Sequence, residues 1–142
     1  MIHIRRNLLE LLRAQLQTIP GYGGVWIQRI GPVRNMFPCI TVFSVAETVL
    51  NETIHPYPRP QDRTLTVHVR VFVRGTADDE KAESDMDAAA LTIEQTLTRP
   101  AGADDMQLIA TDFEVSEEEP EIHVITLAYI IQYQSTEFSP SI

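Results

Sequence analysis

The 142-residue sequence predicts an α+β fold, a single mainly antiparallel β-sheet with two α-helices packed on one face. Three observations carry this. Residues 63–75, RTLTVHVRVFVRG, alternate apolar and polar side chains, the mark of a strand with one face on a core. Two other segments repeat their apolar residues with helical spacing. The elements run helix, short strand, two long strands, helix, and two further strands, with no internal repeat.

The first helix places Ile4, Leu8, Leu11, Leu12 and Ile19 on one stripe, widened by Leu9 and Leu16, with Arg5, Arg6 and Arg13 off it. PGYGG stops it, because Pro20 cannot continue a helix and the glycines permit turns. VWIQRI is a short strand and GPVRN a loop. FPCITVFSVAETVL is a long strand, apolar on both faces at its start, as a central strand is, and more polar toward Glu47 and Thr48.

Pro56, Pro58 and Pro60 then stand at alternate positions, which favours an extended excursion and opposes ladder pairing. A long projecting loop over residues 51–62 is therefore expected between the two long strands. After Gly75, Thr76 is a candidate N-cap, with Asp78, Asp79 and Glu80 suited to the positive end of the helix dipole. Ala82, Met86, Ala89, Ala90, Ile93 and Leu97 form the apolar stripe of the second helix. MQLIATDFEV and EIHVITLAYIIQYQ are the last strands, joined by the acidic turn SEEEP, and residues 135–142 read as a loose tail. The whole chain, 1–142, is one domain by size.

Composition narrows the function. The net charge is −9, but residues 1–36 hold five arginines against one glutamate, while residues 104–121 hold eight acids and no base. An acidic chain lacks the electrostatic footprint of a sequence-reading nucleic-acid binder. Regions of opposite sign suit head-to-tail self-association, although solvated faces that keep a protein soluble give the same pattern. No apolar run is long enough to span a membrane, and the N-terminal segment interleaves charge with apolar residues, unlike a signal peptide. The single cysteine, Cys39, lies in an apolar strand and reads as a core residue, consistent with synthesis in a reducing cytoplasm.

Catalytic chemistry is hard to find. GYGG lacks the spacing and the Lys-Ser/Thr of a phosphate loop. His3, His55, His68 and His123 are scattered; His68 and His123 become neighbours only if their strands pair suitably, and two imidazoles are too few for structural zinc. ADDEKAESDMD reads as the exposed first turns of a helix, and clustering in sequence does not place paired acids in a cleft. No enzyme, cofactor or metal is expected.

The helix-free face of the alternating strand carries His68, Arg70, Phe72 and Arg74. Either it faces water, where arginine and threonine are ordinary, or it abuts a second subunit, with Phe72 and flanking Val42 or Tyr133 giving apolar contacts. The last strand is apolar on both faces, which favours the subunit reading.

The runs FPCITVFSVAETVLNET, RTLTVHVRVFVRG, DDEKAESDMDAAALTIEQTL and VITLAYIIQYQ together resemble the tail terminator proteins of long-tailed bacteriophages, minor tail proteins of similar length. The proline loop has no counterpart in that pattern. The resemblance implies a structural protein of the virion tail, forming a hexameric ring that caps the tail tube, ends its polymerisation and offers a surface to the head connector. DNA would cross the lumen unread. Its implied partners are thus copies of itself, the tube protein and the connector or neck protein, with no membrane. Interface residues expected on this basis are Arg59, Arg70 and Arg74 with Glu117, Glu118 and Glu119. A neck or head-completion protein, or a small α+β enzyme or ligand-binding domain, are the alternatives.

Overall fold

The computed structural model describes residues 4–28, 38–51, 59–74, 79–115 and 122–137. In chain order the elements are α1 (Ile4–Leu16), β1 (Val25–Ile27), β2 (Cys39–Asn51), β3 (Arg59–Arg74), α2 (Asp79–Thr96), β4 (Asp105–Val115) and β5 (Ile122–Glu137). The five strands form one sheet in the order β1-β2-β3-β5-β4. β1 runs parallel to β2, and every other neighbouring pair is antiparallel. The α+β class is as the sequence predicts.

Register follows from alternation. Leu65, Val67, Val69 and Val71 of β3 stand beside Ile131, Tyr129, Leu127 and Ile125 of β5, and all eight are buried. Ile40 and Val42 of β2 continue this layer on the other side of β3. Against it pack Leu8, Leu9, Leu12 and Leu16 of α1. Met86, Ala89, Ala90 and Ile93 of α2 do the same, followed by Leu97 just beyond its end. Each buried aliphatic side chain contributes roughly 1.5–3 kcal/mol before conformational entropy is counted. α1 lies mainly over β1 and β2, and α2 over β5 and β3. Gln15 ties the helices together: its amide donates to the Thr98 carbonyl at 3.1 Å and its Oε1 accepts from the Thr98 N–H at 2.8 Å.

Several boundaries differ from expectation. α1 ends at Leu16, before Pro20, because the Thr18 hydroxyl and the Ile19 N–H turn back onto the Gln15 and Leu16 carbonyls. β1 stops after three residues, where Gln28 takes φ 55°, the left-handed region that ends a strand. Ahead of β1, Gly24 leaves room for an indole: a Cβ there would fall 2.5 Å from the ring of Trp26.

The loop assigned to 51–62 is shorter than predicted. Asn51 still pairs with Gln61, and Arg59 to Asp62 pair with Glu137 to Gln134 of β5. Pro60 is tolerated because it is the second residue of β3, beyond the last β2 pair, where a missing N–H breaks no bond to β2. The tail likewise begins later, since β5 runs through Glu137. Thr76, expected as an N-cap, and Pro56 and Pro58 lie outside the described residues.

The helix-free face is also corrected. Val42 pairs with Val69 and Tyr133 with Arg63, so both point to the helix side, where they are buried. Only Phe72 faces away, and it is already buried, clustered with Cys39, Ile122 and Val124 against Trp26. His68 pairs with Ala128 and Val73 with His123, which puts the two imidazoles on opposite faces.

Two β-bulges shape the flanking strands. In β2 the pairing steps from Ser44 to Ala46, leaving Val45 as the extra residue; in β4 it steps from Leu108 to Ala110, leaving Ile109. Each bulge reverses the face to which every later residue of its strand points.

Candidate assembly interface

The β2 bulge turns Glu47 to the helix side, opposite Leu65. There its side chain, 9% exposed, collects three donors. Arg5 of α1 reaches Oε2 at 2.5 Å, Arg63 of β3 reaches Oε1 at 3.1 Å, and the Tyr133 hydroxyl of β5 donates to Oε1. Arg63 extends the cluster through Nε to the Ser135 hydroxyl at 2.7 Å and Nη2 to Gln61 Oε1 at 3.0 Å. Burial raises the Glu47 pKa, but the hydrogen bonds from Tyr133, Arg63 and Arg5 outweigh it, and the carboxyl ends below its ordinary range. Burial and the neighbouring Glu47 push the Tyr133 phenol up to about 12. Burial opposes the charge on Arg63, and Glu47 more than restores it. The cluster thus locks α1 onto three strands with its hydrogen bonds mutually satisfied. A hollow of about 530 Å³ opens beside it, lined in part by Asp62, Arg63, Asp104 and Tyr133.

The helix-free face holds a second set. The Phe43 ring is met edge-on by His68, with centroids 5.6 Å apart and planes at 66°, while the Arg70 guanidinium lies 5.3 Å from the Phe43 centroid. Arg70 Nε also donates to the Thr126 hydroxyl at 3.2 Å. Burial lowers the His68 pKa, Arg70 lowers it further, and Asp112 pulls it partly back. Arg70 therefore has contacts inside its own chain. Arg59 and Arg74 open and close β3, their backbones paired with Glu137 and Ile122; their side chains, and all of Glu117, Glu118 and Glu119, lie outside the described residues.

Among the described residues no group of three or more His, Cys, Asp or Glu is placed to hold a metal. No described helix is long and apolar enough to cross a membrane.

Exposure identifies a surface that sequence reasoning missed. β4 is the edge strand beside β5. Its Leu108, Phe113 and Val115 share the helix side of the sheet yet remain 37%, 50% and 49% exposed, since α1 lies over β1 and β2 and α2 over β5 and β3. On its other face β4 carries Asp105, Gln107, Asp112 and Glu114. At the opposite end of the sheet β1 pairs only with residues 40–42, leaving Val45, Val49 and Leu50 of β2 at 52%, 45% and 65% exposed. Sequence reasoning read MQLIATDFEV as a strand; nothing in it told which strand would be outermost.

No family model matches this sequence, and no curated protein matches it. Among solved structures, a chain from the virion of a native gene transfer agent (GTA) particle shares the fold, with a TM-score of 0.55, 14% sequence identity, and coverage of 90% of this chain and 95% of that one.

Proposed function

We propose that this chain is a non-enzymatic structural protein of a virion, a tail terminator whose copies close into a ring at the head-proximal end of the tail, hexameric as the resemblance to the phage family implies. The observation that carries the proposal is the fold shared over 90% of the chain with a chain of a GTA virion. The sequence patterns that resemble the tail terminators supply the narrower role, and the polar residues around Glu47 and Phe43 satisfy one another rather than converging on a substrate.

In this role the ring ends tube growth by covering the last tube subunits, and its upper surface receives the connector. An excess of acidic groups along the lumen repels the DNA backbone, so that the duplex passes without sticking. The test is electron microscopy of particles produced without this protein. Tubes of uncontrolled length that fail to join heads are the expected result. Tubes of normal length that fail to join heads move the role to the neck, and normal particles overturn the proposal.

A further inference from the structure

Nine large apolar side chains are exposed among the described residues, and eight of them gather at the two opposite ends of the sheet. At one end stand Leu108, Ile109, Phe113 and Val115 of β4. At the other stand Val45, Val49 and Leu50 of β2, with Ile4 at the start of the helix that Arg5 anchors to Glu47. The ninth, Leu91, is on α2.

The two ends differ in charge. Residues 104–115 contain Asp104, Asp105, Asp112 and Glu114 and no lysine or arginine. The opposite end carries Arg5, Arg6 and Arg13 of α1 against Glu10 and Glu47, with Arg5 paired to Glu47 and the Arg6 side chain 53% exposed. Both ends also offer strand backbone: the outer side of β4, and the outer side of β2 over residues 45–51, have no neighbouring strand among the described residues. Natural edge strands are commonly guarded by lysine or proline. Residues 105–115 contain neither, and are guarded only by the bulge at Ile109 and the acids of the helix-free face.

From these features we infer that the acidic, apolar β4 edge of one copy docks on the basic, apolar β2–α1 edge of the next. The occupant is a second copy of this chain because apolar residues and opposite charges are paired across one molecule. Two like edges would instead bring acid to acid or arginine to arginine. The contact is heterologous, and such contacts close into rings or run on as filaments. The inference rests on the proposed ring and specifies its subunit contact; it assigns that contact to the ends of the sheet rather than to its helix-free face.

Cross-linking tests it in the full chain. Ile109→Cys and Val49→Cys are made separately, with the wild type as control, since its only cysteine, Cys39, is fully buried. Mixed one to one and treated with a short bifunctional maleimide, the two variants are expected to give a covalent dimer, while each alone gives none. Phe113→Arg placed in the Ile109→Cys chain should retain the far-ultraviolet circular dichroism of the fold and lose the link. Linking of Ile109→Cys to itself, or a mixture that stays unlinked across the accessible concentration range, overturns the inference. Capture of a different tail protein by Ile109→Cys in place of the Val49→Cys chain does so as well. Micrographs of the same samples separate the two readings: rings without the cross-link leave the ring and remove this contact, whereas cross-linked open filaments leave the contact and remove the ring.

Discussion

Arg63 of β3 donates from Nη1 to Oε1 of Glu47 of β2 at 3.1 Å, and the Tyr133 hydroxyl of β5 donates to the same oxygen. One carboxylate, brought to the helix side by a bulge, thereby joins the three central strands to α1 through Arg5.

Glu47→Gln should destabilise the fold by about 1–3 kcal/mol at neutral pH, because it leaves Arg63 half-buried without its counter-charge. The carboxyl has a folded-state pKa below its ordinary 4.5, so the stabilisation is complete above that value and is lost as pH falls through the folded pKa. Urea midpoints of wild type and variant are therefore expected to differ near neutrality and to converge as pH falls below the ordinary carboxylate range. A constant gap would show that the carboxylate charge is not what stabilises the cluster.

The imidazole of His68 should titrate below the ordinary 6.5, as burial and Arg70 both disfavour its charged form. Arg70→Gln should move the titration upward, and Asp112→Asn should move it further down, each followed by proton NMR of the ring. With a depressed pKa, His68 contributes stability that is present above 6.5 and lost as pH falls through its folded value. An unchanged titration in both variants would remove the electrostatic coupling between β3 and β4 across the helix-free face.

The Thr41 hydroxyl is fully buried with no hydrogen-bond partner among the described residues. Thr41→Val removes that unsatisfied group at nearly constant volume and should stabilise the protein by about 1 kcal/mol. For a chain of this length, thermal melting should rise by about 2–4 °C. A fall in melting temperature would mean that a group outside the described residues satisfies the hydroxyl.

Much of the fold was legible because period-2 and period-3.6 patterns are imposed by burial. Leu65 to Val71 and Met86 to Leu97 fill the core positions their spacing demands. The Glu47 cluster was not legible, because Val45 shifts the parity of β2 midway. Simple alternation from Ile40 and Val42 would send Glu47 to the wrong face, and FSVAET carries no glycine or proline to mark a bulge. The same holds for Ile109 in β4. Which strand lies at the rim depends on long-range pairing, which local patterns do not encode. For that reason sequence reasoning expected a bare greasy face, whereas the exposed apolar residues lie along the margins of the sheet.

The exposed apolar side of the β4 margin has a practical consequence. An 11-residue strand without lysine or proline, carrying exposed Phe113 and Val115 on one face, is a template on which an extended chain can stack beyond its bulge at Ile109. A solution of solitary copies is therefore expected to cloud and precipitate on concentration or warming, most of all in high salt, where mutual repulsion of a −9 polypeptide fades. Masking that margin should do more for shelf life than any improvement of the interior.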